Sequence, residues 1–308
     1  MGMLIDGQWS DEDRRVTNAE GEFVRVDSTF RSAIEAGDDQ YLAEPDRYHL
    51  FVNAGCPWAY RTLLYRTIKN LESVVSVSFT QPARGPQGWT FGKPEPMLGA
   101  THIHDVYTAA DPHFTGRTTV PVLWDKKTNT IVNNESAEII RMLDSAFDDL
   151  PGVNPARYYP KELATEIDAW NKKIYVNVNN GVYRCGFAGS QQAYEQSFDN
   201  LFAQLDQIEA HLADHRYLCG ENITEADWRL FATLVRFDAA YYGLFRCNRN
   251  LLQDYECLWA YTRDLYQQPK VKETVDMEAI KGIYWGSRSP GIIPKGPSID
   301  FDEPHHRG

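Results

Sequence analysis

One cysteine box constrains this chain more than any other feature. Cys56 lies in Val52-Asn53-Ala54-Gly55-Cys56-Pro57-Trp58-Ala59, where an apolar strand-like run (Tyr48, Leu50, Phe51, Val52) meets a segment that opens with proline, as helices do. Pro57 suits a first helical position, because the N–H it lacks would have no intrahelical partner there. A helix N-terminus presents spare N–H groups and partial positive charge, so a sulfur held at it is favoured as thiolate, the nucleophilic form. Ala59 occupies the place where a dithiol redox centre carries its second cysteine. A mixed disulfide formed on Cys56 must therefore be resolved by an external thiol.

Around the box the pattern reads strand (48–53), helix (57–70) and strand (74–79), the last alternating through Val75, Val77 and Phe79. This is a β-α-β unit. The stretch 80–116 is rich in Gly and Pro, and a connection so long inside a compact domain is usually functional. Strand signals return at 120–124, turn through 125–129 and resume at 130–132, a hairpin. A helix over 134–143 follows, with Ile139, Ile140 and Leu143 on one face. Residues 48–147 thus have the element order of a thioredoxin-like domain.

A linker with Pro151, Gly152, Pro155 and Pro160 separates this region from a helical one. There Phe198, Leu201, Leu205, Ile208 and Leu212 recur at helical spacing. Thr224 and Asp227 form a capping box, with Ile223 placed to staple onto Trp228. The expected division is an irregular arm (1–47), a thioredoxin-like domain (48–150), an all-helical domain (161–285) and a Pro- and Gly-rich tail (286–308).

A length of 308 residues with 43% hydrophobic content suffices for one large or two ordinary domains with real cores. The formal net charge of −12 argues against nucleic acid or an anionic membrane as partner and leaves a small molecule. No stretch has the order of a signal peptide, and no apolar run approaches the roughly 18 residues of a spanning helix, so the cytoplasm is the expected location. The five cysteines are odd in number and scattered, which reads as reduced thiols, and Cys185, Cys219, Cys247 and Cys257 are given no chemistry. The histidines lack metal spacing: His102 and His104 alternate in a loop, His305 and His306 lie in the tail, and all four read as exposed. With no Gly-rich phosphate loop either, neither metal nor nucleotide is expected.

The Cys56-Pro57-Trp58-Ala59 box, the segment from Thr119 to Asp125, Glu135-Ser136, Asn179-Asn180-Gly181-Val182-Tyr183 and Arg236-Phe237-Asp238 together resemble the Xi class of glutathione transferases, the glutathionyl-hydroquinone reductases. The likeness covers roughly residues 28–290. Val-Pro-Val-Leu with Glu-Ser downstream is common to most glutathione transferases, and the cysteine box joined to Asn-Asn-Gly-Val-Tyr narrows it to the class. The resemblance implies a thioredoxin-like domain that binds glutathione, an all-helical domain that receives the second substrate, and a homodimer. Glutathione is then the external thiol that the missing second cysteine requires. The reaction implied removes glutathione reductively from an S-glutathionyl hydroquinone, through a mixed disulfide on the cysteine.

The same resemblance distributes roles over the sequence. If the bond before Pro121 is cis, Val120 offers its backbone N–H and C=O to an extended peptide; a trans proline opening an edge strand is the generic alternative. Glu135 and Ser136, at a helix start, suit the ammonium and carboxylate of the γ-glutamyl end, against the plainer reading of helix capping. Trp89 and Arg117, flanking the long insertion, together with Thr118 and Thr119 complete the expected glutathione contacts. Tyr183 is the expected proton donor to the aromatic carbon, with Tyr241 and Tyr284 orienting the ring and Tyr242 a rival for the role of Tyr241.

Two other classes compete. An Omega-like thioltransferase or dehydroascorbate reductase shares the cysteine chemistry but needs no acid at Tyr183. A non-catalytic interaction module with this fold needs no activated cysteine at all.

Overall fold

The computed structural model describes residues 2–11, 17–35, 40–288 and 291–307, which fall into two compact units. The first comprises Met1–Arg15, Asp27–Ala156 and Thr274–Ile293; the second comprises Val16–Val26, Arg157–Glu273 and Pro294–Gly308.

The first unit is built on a four-stranded sheet of β4 (Val75–Phe79), β3 (Tyr48–Val52), β5 (Val122–Asp125) and β6 (Thr130–Asn133), in that order. β3 pairs in parallel with β4 and antiparallel with β5, which pairs antiparallel with β6. Every residue of β3 is buried, which explains its unbroken apolar run. α1 (Pro57–Ile68) joins β3 to β4 and packs against α3 (Ser136–Ser145). This is the thioredoxin-like order expected from the sequence.

Two elements depart from expectation. The stretch 80–116 contains α2 (Ile103–Ala110), whose Ile103, Val106 and Tyr107 are buried at helical spacing. The arm is not wholly irregular: β1 (Met3–Ile5) and β2 (Gln8–Ser10) form a hairpin. Its two turn residues, Asp6 and Gly7, both have positive φ (48° and 72°), the conformation of a type I′ turn for which Asp-Gly is favoured. The hairpin is tied to the insertion by paired backbone bonds between Leu4 and Gly116. Farther along, Ser32 N–H donates to the Val132 carbonyl and Arg31 pairs with Glu138, so the arm also covers the free edge at β6.

The second unit is helical. It holds α4 (Ala164–Ile174), α5 (Gly181–Gly186), α6 (Gln191–Asp214), α7 (Glu225–Arg236), the short α8 (Tyr242–Leu244) and α9 (Glu256–Tyr266). The Thr224 cap forms as expected: Asp227 accepts from Thr224 N at 2.7 Å, and also from Leu218 N at 2.9 Å and the Tyr261 hydroxyl at 2.8 Å. The tail from 294 belongs to this unit, where Phe301 is buried against the rings of Trp259 and Tyr266. The preceding segment, with α10 (Met277–Lys281), belongs to the first unit instead, so a boundary at 285 does not follow the packing.

Candidate active site

Cys56 is the N-cap of α1, with extended backbone (φ −73°, ψ 123°) and Pro57 at the first helical position. Its loop is shaped by Asn53, fully buried, whose side-chain oxygen accepts from the N–H groups of Gly55 (3.0 Å) and Cys56 (3.2 Å). The amide nitrogen of Asn53 donates to Thr80 Oγ1 at 3.0 Å and to the Gln81 carbonyl at 2.8 Å. One side chain thereby fixes the cysteine loop to the chain leaving β4. Gly55 has its own reason: a Cβ there would stand 2.3 Å from the Ala279 carbonyl oxygen of α10, so only glycine admits that approach.

The Cys56 sulfur lies 4.0 Å from the Val120 carbonyl oxygen, and the Val120–Pro121 bond is cis. Cys56 is only 6% exposed, packed at the junction of α1 with the segment before β5. Val120 is buried, Arg117 and Thr118 are half-buried and Thr119 is exposed. Trp89 is buried, with the Arg84 guanidinium 4.1 Å above its ring.

Glu135 is the N-cap of α3 and fills the capping role directly, accepting from Ala137 N at 3.0 Å and from Ser28 Oγ at 3.0 Å. Ser136 is buried and accepts from Arg61 at 3.4 Å. Arg61, buried in α1, also lies 4.7 Å above the Trp58 ring, so it connects the start of α3 to the residue beside Pro57. These contacts, like those of Asn53, were not read from the sequence. An asparagine three residues before a helix-capping position is a detectable turn signal, whereas a buried arginine inside an apolar helix gives none.

Two of the three expected tyrosines lie in π-helical turns, and the third follows one. Such turns widen a helix by one residue, re-aim its side chains and are frequent at functional sites. Tyr284 lies within one (Gly282–Gly286), is buried and belongs to the first unit with Cys56. In the second unit, Tyr241 ends the turn Phe237–Tyr241, and Tyr183 follows the turn Tyr175–Asn179 on α5. Tyr183 and Tyr241 have ring centroids 6.0 Å apart, with Phe245 5.3 Å from Tyr183. Tyr183 is half-buried and carries the Arg25 guanidinium 5.0 Å over its ring; Arg25 is oriented by Asn180 Oδ1 at 3.0 Å. Tyr241 is fully buried, while its neighbour Tyr242 keeps partial exposure.

His102 and His104 are not loop residues: His102 caps α2 and His104 lies in its first turn, half-buried. With Asp105 they place candidate ligand atoms within 4.8 Å of one another. Their rings stack in parallel at 4.8 Å and 10°, so the in-plane lone pairs run side by side, and Asp105 Oδ2 is already taken by Thr101 and His102 N–H groups. That geometry is helix capping, and no metal centre is assigned to it. A cavity of about 300 Å³ behind the cysteine loop is lined by Ala54, Phe79, Thr80, Pro82, Asp276 and Ala279, none of them an expected site residue.

Comparison with known proteins converges on one family. Residues 55–146 match the glutathione S-transferase N-terminal domain and residues 191–264 the glutathione S-transferase C-terminal domain. The chain is 47% identical to the glutathionyl-hydroquinone reductase YqjG of Escherichia coli, over 100% of this chain and 98% of that protein. To the glutathionyl-hydroquinone reductase PcpF of Sphingobium chlorophenolicum it is 46% identical, over 97% of each. The glutathione-bound structure of YqjG superposes with a TM-score of 0.90 at 44% identity, covering 99% of both chains. The Xi class transferase of Natrialba magadii superposes at 0.94 with 40% identity, covering 100% of this chain and 97% of that one. The chain thus belongs to the glutathione S-transferase family and, within it, to the Xi class of glutathionyl-hydroquinone reductases, with a thioredoxin-like N-terminal and an all-helical C-terminal domain.

Proposed function

We propose that this protein removes glutathione reductively from S-glutathionyl hydroquinones, with Cys56 as nucleophile and glutathione as the second thiol. The placement of Cys56 carries the reading: a sulfur at the head of a twelve-residue helix, 4.0 Å from the Val120 carbonyl, with alanine where a resolving cysteine would stand. Cys56 thiolate attacks the sulfur of the conjugate, the sulfur–carbon bond breaks toward carbon, and that carbon takes a proton from Tyr183. Hydroquinone leaves and glutathione remains on Cys56 as a mixed disulfide. A second glutathione thiolate attacks that disulfide, releasing Cys56 and glutathione disulfide. Sulfur is oxidised by two electrons and carbon reduced by two, so the balance needs no further reductant and no metal.

In this reading Val120 pairs with the glutathione backbone, while Glu135 and Ser136 receive its γ-glutamyl end and Trp89, Arg117, Thr118 and Thr119 complete the contacts. Tyr241 and Tyr284 orient the hydroquinone ring. The resemblance supports these assignments, as it does a homodimer. The chemistry calls for a compartment rich in reduced glutathione, and five free cysteines fit the cytoplasm. The test is incubation of the protein with a glutathionyl-hydroquinone and glutathione. Free hydroquinone and glutathione disulfide should appear in equal amounts, and a hydroquinone yield without matching disulfide would overturn the reading.

A further inference from the structure

The two segments expected to hold glutathione, 119–120 before β5 and 135–136 at the start of α3, are joined by one buried phenol. Tyr107 of α2 is fully buried and its hydroxyl is saturated. It donates to the Thr119 carbonyl at 3.0 Å and accepts from Thr119 N–H at 3.2 Å and from Asn134 Nδ2 at 3.0 Å, with the Thr119 hydroxyl also 3.3 Å away. A phenol has one proton to give and two lone pairs, so no capacity is left over. Asn134 is held from its other side by Phe30, whose N–H donates to Asn134 Oδ1 at 3.1 Å. The Tyr107 ring is packed independently, against Phe114 at 5.0 Å and Phe30 at 5.9 Å.

We propose that Tyr107 is a positioning residue for glutathione, setting the spacing between the Val120 peptide edge and the Glu135–Ser136 helix start through Thr119 and Asn134. The inference rests on the glutathione reading above. It also assigns a task to the long insertion, which supplies α2. A tripeptide bound at both ends is sensitive to the distance between its two anchors, because misplacing one forfeits its hydrogen bonds while the ligand's ordering cost stays the same. The Cys56 loop has a separate support in Asn53, so its backbone does not depend on the phenol, while its sulfur faces the Val120 carbonyl.

Tyr107→Phe keeps the ring and removes the hydroxyl. Its KM and Kd for glutathione should rise about tenfold, the size of one lost buried hydrogen-bond set, while alkylation of Cys56 by iodoacetamide changes by less than about twofold. Unchanged glutathione affinity, or affinity and alkylation falling together as in general loosening, would overturn the proposal. If that variant does not fold, Asn134→Ala breaks the same link from its other end and is read by the same two outcomes. Wild-type protein that fails to bind glutathione in a calorimetric titration would defeat the underlying reading as well; wild type that binds while Tyr107→Phe binds equally defeats the positioning role alone.

Discussion

Cys56 is held in place by buried neighbours. Asn53 fixes its loop, Pro57 starts its helix and the Val120 carbonyl faces its sulfur. Cys56→Ser should lower turnover of a glutathionyl-hydroquinone by about a thousandfold or more, since serine at this place lacks a base; steady-state kinetics checks this. Tyr183→Phe should cost about a hundredfold in release of hydroquinone, the usual range for a positioned acid, yet leave reduction of a simple glutathione mixed disulfide intact. Equal losses on both substrates would remove the proton-donor role.

His49, on β3, illustrates a residue whose titration reports on the core. Burial pushes its imidazole down from 6.5 to about 4, against the upward pull of Glu95. Above pH 6.5 the ring is neutral whether the chain is folded or not. Between 6.5 and about 4 only the unfolded chain takes the proton, so stability falls across that window and levels off below it. Wild type should therefore lose about 2 kcal/mol more than His49→Gln between pH 7 and pH 5 in urea unfolding, and parallel curves would contradict this.

At the scale of elements, strong periodicity and capping chemistry were legible, and context-dependent geometry was not. The strand–helix–strand around Cys56 and the Thr224–Asp227 cap follow from alternation, proline and box spacing, each a local signal. α2 was missed because an eight-residue helix amid glycines and prolines offers little to a window average, although Ile103, Val106 and Tyr107 do mark one face. The Asp6-Gly7 hairpin carried a readable turn signal in a segment that otherwise looks irregular. The π-helical turns leave no periodic trace in the sequence, so the turns that hold Tyr241 and Tyr284 were not legible there. The cap made by Glu135 is local, to Ala137 N, and was among the readings the sequence offered, whereas the burial of Cys56 depends on a residue far away in the chain, Val120.

Two element-level predictions follow from these contacts. Asp227→Ala strips the acceptor from Thr224 N, Leu218 N and the Tyr261 hydroxyl, all buried. Urea denaturation should show a loss of about 3 kcal/mol or more, and a loss under about 1 kcal/mol would mean the box is incidental. Gly55→Ala drives a methyl into the Ala279 carbonyl, so the cysteine loop and α10 must separate. Its cost should be about 1–3 kcal/mol, accompanied by a fall in turnover, and a fully active, equally stable variant would show that this approach is not required.

For the molecule as a whole, the chain passes between its two units at five points, so neither the arm nor the tail is a separate appendage. Part of the arm and the segment carrying Tyr284 serve the unit of the cysteine; the rest of the arm, with Arg25, and the tail, with Phe301, serve the helical unit. Composition alone reached only the exclusion of strongly anionic partners, while the class of protein came from a few short motifs spread along the chain. The central claim, that Cys56 itself accepts the glutathionyl sulfur, is open to one direct measurement. A stoichiometric amount of glutathionyl-hydroquinone is mixed with thiol-free protein, quenched in acid and analysed by intact-mass and peptide mass spectrometry. One equivalent of hydroquinone should be released and one glutathionyl group found on Cys56; hydroquinone released with Cys56 unmodified, or the group found on another cysteine, would exclude Cys56 as the acceptor.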